Sequence, residues 1–230
     1  MKDLNLLEKS IGYQFKNKEL LKDAFVHRSY LNENKDRNLI SNEKLEFLGD
    51  SVLSLITSIY LYQKYPELSE GAYTDIKASI VRTDSLYSAA QKLNLGRYLF
   101  LSKGEAGSDG RNNISILADC FEALIAAIFL DEDFGAAYQF VNQYLFAQRL
   151  DAIIRDNRYS SAKNKLQEYW QNKYKTLPVY RVLQASGPEH SKNYIIGVFN
   201  RQTLLAKAEG SSKKTAEEKA ASIALQNLGV

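Results

Sequence analysis

Residues 42–53, which read NEKLEFLGDSVL, combine three carboxylates with closely spaced apolar side chains, and this combination constrains the fold more than any other stretch. Glu43, Glu46 and Asp50 are spaced three and then four residues apart, so an α-helix would place them on one face. The apolar residues around them, which continue to Ile59, require burial. A row of acids on a half-buried helix is unfavourable unless a cation neutralises it, and a hard divalent cation accepts oxygen ligands.

The rise of an α-helix limits which of these acids can share one ion. At about 1.5 Å per residue, Glu43 and Asp50 lie roughly 10 Å apart along the axis, which is too far for a single ion. Glu46 and Asp50 are separated by about 6 Å and could share a metal centre with ligands from elsewhere. We therefore expect Glu43 to be peripheral. The alternative for an isolated acid pair is a solvated acidic face.

A second acidic pair lies in the segment 116–131. Asp119 and Glu122 are three residues apart in a pattern that is apolar nearly all round, which predicts a buried central helix. No Lys or Arg occurs between Asn112 and Leu130, so local ion pairing is excluded. The two acids either pair with basic side chains from elsewhere or bind a metal, and we favour the metal.

The rest of the first 154 residues also shows helical patterns. His27 stands alone beside an apolar helix and is interpreted as a hydrogen-bonded packing residue. Pro66 is predicted to end the acidic helix, and Gly96 is predicted to end the helix at residues 84–95. The polar stretch Ser102 to Asn113 predicts a flexible loop. The predicted helices, apart from the two acidic ones, lie within residues 4–31 (two short ones) and at residues 70–82, 84–95 and 134–154.

Charge divides the chain into two parts. Residues 1–157 contain 18 Lys and Arg against 22 Asp and Glu, a net charge of −4, whereas residues 158–230 contain 12 against 5, a net charge of +7. A basic second module is typical of a partner for a polyanion. The single cysteine, Cys120, excludes an intrachain disulfide framework and favours a reducing compartment. No signal-peptide pattern or apolar run of 18 residues is evident, so we expect a cytoplasmic protein without a membrane segment.

The second module follows the order α-β-β-β-α. Ser161 is predicted to cap a helix to about residue 173 and Ser211 a final helix, with three strands between them at 179–185, 194–199 and 203–208. Lys213 and Lys214 begin the final helix, where the dipole also attracts anions. A lysine pair alone is usually a solvated surface, but this topology favours a binder of double-stranded RNA. The buried stripe of the final helix is predicted to comprise Ala216, Ala220, Ile223, Ala224 and Leu228.

Three segments together resemble the ribonuclease III family. NEKLEFLGDSVL at residues 42–53 is similar to the family signature, and LADCFEALIAAIFLD at 117–131 is similar to its second motif. Residues 161–228 resemble a double-stranded-RNA-binding domain. The resemblance implies a mostly α endonuclease domain at residues 1–154, a linker at 155–160 and a small α+β double-stranded-RNA-binding domain at 161–230.

The same resemblance implies the activity and its residues. It implies a homodimer that cuts both strands of double-stranded RNA, leaving 5′-phosphates, 3′-hydroxyls and short 3′ overhangs, and that processes ribosomal RNA precursors and some mRNA. Mg²⁺ is the implied cofactor, and Mn²⁺ is expected to substitute. The implied metal ligands are Glu46, Asp119 and Glu122. Asp50 is implied to act with Glu122 in catalysis, and Glu43 and Glu70 are implied supporting acids. The implied RNA contacts are Gln167, Glu168, His190, Lys192, Lys213 and Lys214.

Two other functions remain open on the sequence. The first is a binding protein with an inactive nuclease domain. Loss of Glu46, Asp50, Asp119 or Glu122 would favour this function, and all four acids are present. A hydrolase of small phosphoesters would not need the basic second module. The chain departs from the family pattern at Glu217, where many such RNA-binding domains have a third lysine.

Overall fold

The structure, a computed structural model, describes residues 4–34, 39–147, 150, 154, 160–188 and 192–230. It divides into two compact units, Met1–Tyr159 and Ser160–Val230. Within the predicted linker, residues 155–159 lie outside the described residues, as does His190. Each unit has its own hydrophobic core.

The first unit is built from helices. They are α1 (Leu4–Ile11), α2 (Lys18–Asp23), α3 (Arg28–Glu33), α4 (Glu43–Lys64), α5 (Glu70–Ile80), α6 (Thr83–Lys92), α7 (Lys103–Gly107), α8 (Ile114–Asp131) and α9 (Phe134–Val141). A π-helical turn, Asn142–Phe146, follows α9, and the rest of the predicted helix 134–154 lies largely outside the described residues.

Helix α8 is the centre of this unit, as its apolar pattern predicts. Eleven of its residues are buried, and its most extensive packing is against α4, with α6 on another side. The C-terminal end is fixed by Asp131, whose carboxylate accepts the backbone N–H groups of Lys16 and Asn17 at 2.8 and 2.7 Å and the hydroxyl of Tyr13 at 2.8 Å. Helix α8 is therefore held along its length and at its end.

Helix α4 has two different faces. By length and composition it is the one described helix that could cross a membrane. Its buried face, which includes Leu53 and Ile56, packs into the core of the unit, and the helix also bears three acids. This pattern is that of a core helix in a folded protein.

Two local predictions were wrong. Helix α6 ends at Lys92, not at Leu95, and the left-handed residue after it is Asn94 (φ 52°), so Gly96 does not end the helix. A Cβ at Gly96 would lie 2.1 Å from the carbonyl oxygen of Arg111, so this glycine permits a close approach of two segments instead.

The segment 102–113 is not a flexible loop either. It contains α7 and a 3-10 turn, Gly110–Asn112. The guanidinium of Arg111 donates from Nη1 to the carbonyls of Gly96 and Leu99 at 2.8 and 2.9 Å, and the N–H of Lys103 donates to Glu33. These partners are distant in sequence, so local composition could not reveal the order they impose.

The second unit confirms the predicted α-β-β-β-α order. Helix α10 (Ala162–Tyr174) precedes β1 (Val179–Ser186), β2 (Asn193–Asn200) and β3 (Thr203–Gly210), and α11 (Lys213–Leu228) follows. The strands form one antiparallel sheet in the order β1-β2-β3. Both helices pack on the sheet face that presents Val198 and Ala206.

Two predicted details of these helices, the cap of α11 and the burial of Ile223, were wrong. Ser161 caps α10 as predicted, but α11 is capped by Ser212, whose Oγ accepts the N–H of Thr215 at 3.1 Å, and not by Ser211. Ile223, predicted to be buried, is 39% exposed, whereas Ala221 is buried. Glu217 pairs with Lys163 at 2.5 Å, so this departure from the family pattern joins α11 to α10.

Candidate active site

The crossing of α4 and α8 brings the two acidic pairs together. Oxygen atoms of Glu46, Asp119 and Glu122 lie within 4.8 Å of one another, and each of these side chains is half-buried. Neither helix alone contains this cluster. Three carboxylates at this separation provide the hard oxygen ligands that Mg²⁺ and Mn²⁺ accept, so the donor set fits a divalent cation.

Gly49 is the residue that makes this crossing possible. A Cβ at this position would lie 2.0 Å from the backbone oxygen of Glu122, a distance that real Cβ atoms do not show. The backbone of α8 therefore passes directly over Gly49, one turn from Glu46 and next to Asp50. This role of Gly49 was not predicted from the sequence. The available signal was a glycine inside a long helix, which costs about 1 kcal/mol and so requires a reason.

The electrostatics of the cluster reflect crowded negative charge. Burial, followed by repulsion from Asp50, Asp119 and Glu46, raises the pKa of Glu122 to about 8. Burial and then the charge of Asp119 raise the pKa of Glu46, and burial raises that of Asp119. In each case the charged form is disfavoured, and a bound cation would relieve the repulsion.

The remaining predicted acids lie at different places. Asp50 is exposed and outside the group of three, although its charge is the second cause of the raised pKa of Glu122. Glu43 is also exposed; Nη1 of Arg28 lies 3.7 Å from its Oε1, and the hydroxyl of Ser41 donates to its Oε2 at 2.8 Å. Glu70 begins α5, where its carboxylate accepts a hydrogen bond from Thr74 at 3.4 Å. The structure thus gathers Glu46, Asp119 and Glu122 and leaves Glu43 and Glu70 outside this group.

His27 has the packing role that the sequence favoured. It caps α3, since its Nδ1 accepts the N–H of Ser29 at 3.3 Å and lies 2.8 Å from the hydroxyl of the same residue. Burial lowers its pKa below the ordinary value. His27 also lines a polar cavity of about 600 Å³, together with Arg28, Glu43, Glu46 and Asp119. Neither the cavity nor Arg28 was predicted from the sequence.

The predicted RNA contacts lie on the surface of the second unit. Gln167 and Glu168 are exposed on α10, and Lys213 and Lys214 are exposed in the first turn of α11. The ammonium of Lys213 lies 5.8 Å from the ring centroid of Tyr194. Lys192 is half-buried and immediately precedes β2. The two helices therefore present polar and cationic side chains to solvent while their apolar sides cover the sheet.

Comparison with known proteins gives a consistent result for both units. The family model described as Ribonuclease-III-like matches residues 17–149, and the one described as Double-stranded RNA binding motif matches residues 162–228. Ribonuclease 3 of Protochlamydia amoebophila is 44% identical over 222 residues, which cover 96% of this chain and 90% of the relative. Ribonuclease 3 of Dehalococcoides mccartyi is 41% identical over 228 residues, which cover 99% and 96%.

Solved structures resemble the first unit in the same way. The crystal structure of the nuclease domain of ribonuclease III from Campylobacter jejuni is 36% identical, with a TM-score of 0.59, and the match covers 65% of this chain and 97% of that chain. A second structure of the same domain is 35% identical, with a TM-score of 0.59. That nuclease domain shows structural flexibility in a region involved in dimer formation.

Proposed function

Because this chain belongs to the ribonuclease III family of double-stranded-RNA endoribonucleases, we propose that it is a metal-dependent enzyme that hydrolyses both strands of an RNA duplex. The products are 5′-phosphate and 3′-hydroxyl ends with short 3′ overhangs. The observation that supports this most directly is the cluster of Glu46, Asp119 and Glu122. We place the linker between the nuclease and RNA-binding domains at residues 155–160, a range that includes the boundary between Tyr159 and Ser160 of the two compact units.

Glu46, Asp119 and Glu122 are the side chains that would hold Mg²⁺, with Mn²⁺ as a substitute. A bound divalent ion supplies a Lewis acid that stabilises charge on the phosphate and lowers the pKa of water. Exposed Asp50 can accept a proton from the water that attacks phosphorus while the bond from phosphorus to the 3′-oxygen breaks, and the leaving 3′-oxygen takes a proton from solvent to become the 3′-hydroxyl. Glu43 and Glu70 are proposed as supporting acids, and we expect their replacement to cost less activity than that of Glu122.

The RNA-binding unit supplies affinity for the duplex. Lys192, Lys213 and Lys214 are proposed to contact phosphates, and Gln167 and Glu168 to contact the minor groove, where double-stranded RNA displays its 2′-hydroxyls. His190, which lies outside the described residues, is proposed as a further RNA contact. The expected substrates are ribosomal RNA precursors and structured mRNA, and the expected location is the cytoplasm.

The decisive experiment is cleavage of a long RNA duplex in Mg²⁺ by the wild type and by Glu122→Gln. We expect the variant to bind the duplex with wild-type affinity and to lose cleavage by about a hundredfold or more. Glu67→Gln, at an exposed acid on the same unit, is the matched control and should cut normally. If the wild type binds duplex but does not cut it, the chain is a binding protein and the nuclease proposal is wrong.

The exposed face of α4 supports a homodimer. Phe47, Leu55 and Tyr62 are 78, 53 and 74% exposed, and their spacing of eight and seven residues places them on one face of the helix. Large apolar side chains that are this exposed on one face of a helix are typical of a protein interface. One cluster of acids cuts one strand, so two copies would provide the two clusters that a duplex requires.

Light scattering tests the dimer directly. The chain mass is 26.1 kDa, so the wild type should have twice this mass at micromolar concentration. Phe47→Lys should produce a monomer, whereas Leu6→Lys, at an exposed apolar residue of α1, should not. A monomeric wild type would contradict the proposal.

A further inference from the structure

The lining of the cavity beside the carboxylate cluster contains more acidic than basic side chains. Four of its described lining residues are acids, namely Glu43, Glu46, Glu105 and Asp119. Arg28 is the only described lining residue with a permanent positive charge. His27 also lines the cavity, but it caps α3 through Nδ1. The single guanidinium therefore faces a wall that would repel an RNA strand on its way to the cluster.

Arg28 is held at its backbone and free to exchange partners at its guanidinium. It is the first residue of α3, and the cap formed by His27 fixes the start of that helix. The guanidinium is 3.7 Å from Glu43, with the two side chains 74 and 54% exposed, so their ion pair is weak. A guanidinium has five N–H donors in a planar fork that matches two phosphate oxygens. A phosphate is thus a better partner than the one Arg28 now has.

We propose that Arg28 holds a backbone phosphate of the cut strand, next to the phosphate that is hydrolysed, in the cavity beside the carboxylate cluster. The proposal rests on the proposed nuclease function and assigns a substrate-positioning residue to it. The strand would lie with one phosphate at the cluster and a neighbouring one at Arg28. A fixed neighbour limits the movement of the reacting phosphate, which is how positioning accelerates a reaction.

A different role for Arg28 would be to neutralise Glu46 and Asp119, and the two roles predict opposite dependence on metal. If Arg28 only neutralised the acids, Arg28→Gln would increase the attraction for Mg²⁺ and lower the concentration that half-maximal cleavage requires. If Arg28 holds a phosphate, Arg28→Gln lowers the single-turnover cleavage rate, and excess Mg²⁺ does not restore it. We expect a loss on the order of tenfold, as for one charge-assisted hydrogen bond.

The sharper test pairs this variant with a chemical change in the RNA. A duplex with a single cleavage site is prepared with one neutral methylphosphonate linkage at each position flanking that site in turn. For the wild type we expect one such linkage to slow cleavage by about tenfold. For Arg28→Gln the same linkage should cause no further loss, because the contact is already gone.

Three control variants distinguish loss of the contact between Arg28 and the phosphate from a general loss of activity. Arg28→Lys keeps the charge without the fork and should restore only part of the rate. Arg82→Gln removes another exposed arginine, paired with Asp84 at 3.8 Å, and should cut normally. Glu43→Gln removes the present partner of Arg28 and should leave the effect of the methylphosphonate unchanged. An equal effect of every linkage on wild type and Arg28→Gln would overturn the proposal.

Binding measurements keep this inference distinct from the nuclease proposal. The affinity for the unmodified duplex and for each methylphosphonate duplex is measured with two full-length proteins. One carries Glu122→Gln alone, and the other carries Glu122→Gln and Arg28→Gln. If no protein cuts RNA but the neutral linkage weakens binding only when Arg28 is present, the nuclease proposal fails and the phosphate contact stands. If the linkage affects the affinity of both proteins equally, the contact is overturned.

Discussion

At the scale of single residues, the candidate site depends on Gly49, which has no side chain. Gly49 allows the backbone of α8 to pass over α4, and this passage determines the distance between Glu46 and the two acids of α8. The positions of the three carboxylates relative to one another therefore depend on this glycine. Their chemistry can be read from residue types, but their separation depends on a backbone contact.

Gly49→Ala should damage both the packing and the site. The added methyl group would meet backbone, which cannot rotate away, so we expect a loss of at least about 1–3 kcal/mol in the free energy of unfolding. Urea unfolding measures this loss, and the Mg²⁺ concentration for half-maximal cleavage should rise. Gly107→Ala is the control, because a Cβ there meets nothing within 4 Å. Equal stability of the two variants would show that α8 can move away from α4 without cost.

The raised pKa of Glu122 predicts how the metal-free protein responds to pH. Its pKa is about 8 in the folded protein and about 4.3 in an unfolded chain. Between these values the folded state binds the additional proton, so stability falls as pH rises through this window. In a chelator, the wild type should lose melting temperature between pH 5.5 and 8.5 relative to Glu122→Gln. Mg²⁺ should reduce the difference, and parallel curves for the two proteins would contradict the assignment.

At the scale of elements, the ends of helices illustrate how tertiary contacts modify local signals. The cap of α10 follows from its serine, and the interior of α8 follows from its apolar pattern. By contrast, α6 stops early at a left-handed Asn94, and α7, which Ser102 caps, lies in a segment that distant residues also hold. Contacts of the latter kind with a neighbouring element are not visible in the local sequence.

Lys175 ends α10 in a conformation that side chains disfavour. Its φ is 55°, in the left-handed region where a Cβ meets the following carbonyl. Lys175→Gly should raise the free energy of unfolding of this unit by about 0.5–1 kcal/mol, because glycine adopts this conformation without strain.

The control for this change is Lys173→Gly, which lies within the same helix and should destabilise it by about 1 kcal/mol. Thermal unfolding of both variants measures the two effects. A lower melting temperature for Lys175→Gly than for the wild type would contradict the prediction.

At the scale of the whole molecule, the two units divide binding from chemistry. The nuclease unit contains the acids and most of the negative charge, and residues 158–230 have a net charge of +7. Binding of RNA by the basic unit releases counterions, so affinity should fall steeply with salt. Under the proposed function, a cation bound at the acidic unit would allow a phosphate to approach, so the metal and the RNA-binding unit would have complementary electrostatic roles.

Salt titration of duplex binding tests this division. Replacing Lys213 and Lys214 together by Gln should lower the magnitude of the slope of log affinity against log salt by about 1–2, since each phosphate contact contributes about one. Lys207→Gln, which removes one positive charge where the double variant removes two, is the control for an effect of charge alone, because Lys207 is exposed on β3, next to the inward-facing Ala206. An identical slope for the wild type and the double variant would show that Lys213 and Lys214 do not contact phosphates.

The sequence by itself determined what depends on residue type and on period along one element. The acids on a half-buried helix, the buried character of α8, the α-β-β-β-α order and the basic second module follow from hydrophobic period, caps and charge. These are short-range properties, because backbone geometry repeats every 3.6 residues in a helix and every two in a strand.

Only the tertiary structure decided how α4 and α8 cross, and hence which carboxylates meet. The helix rise allowed Glu46 and Asp50 to share a metal centre with ligands from elsewhere, and only the family resemblance implied the set Glu46, Asp119 and Glu122. The crossing of the two helices is what brings these three together. It also placed Arg28 beside the acids and gave Arg111 its carbonyl partners. Such contacts join residues far apart in the chain, and their distances depend on side-chain volumes at the crossing, above all the missing Cβ of Gly49.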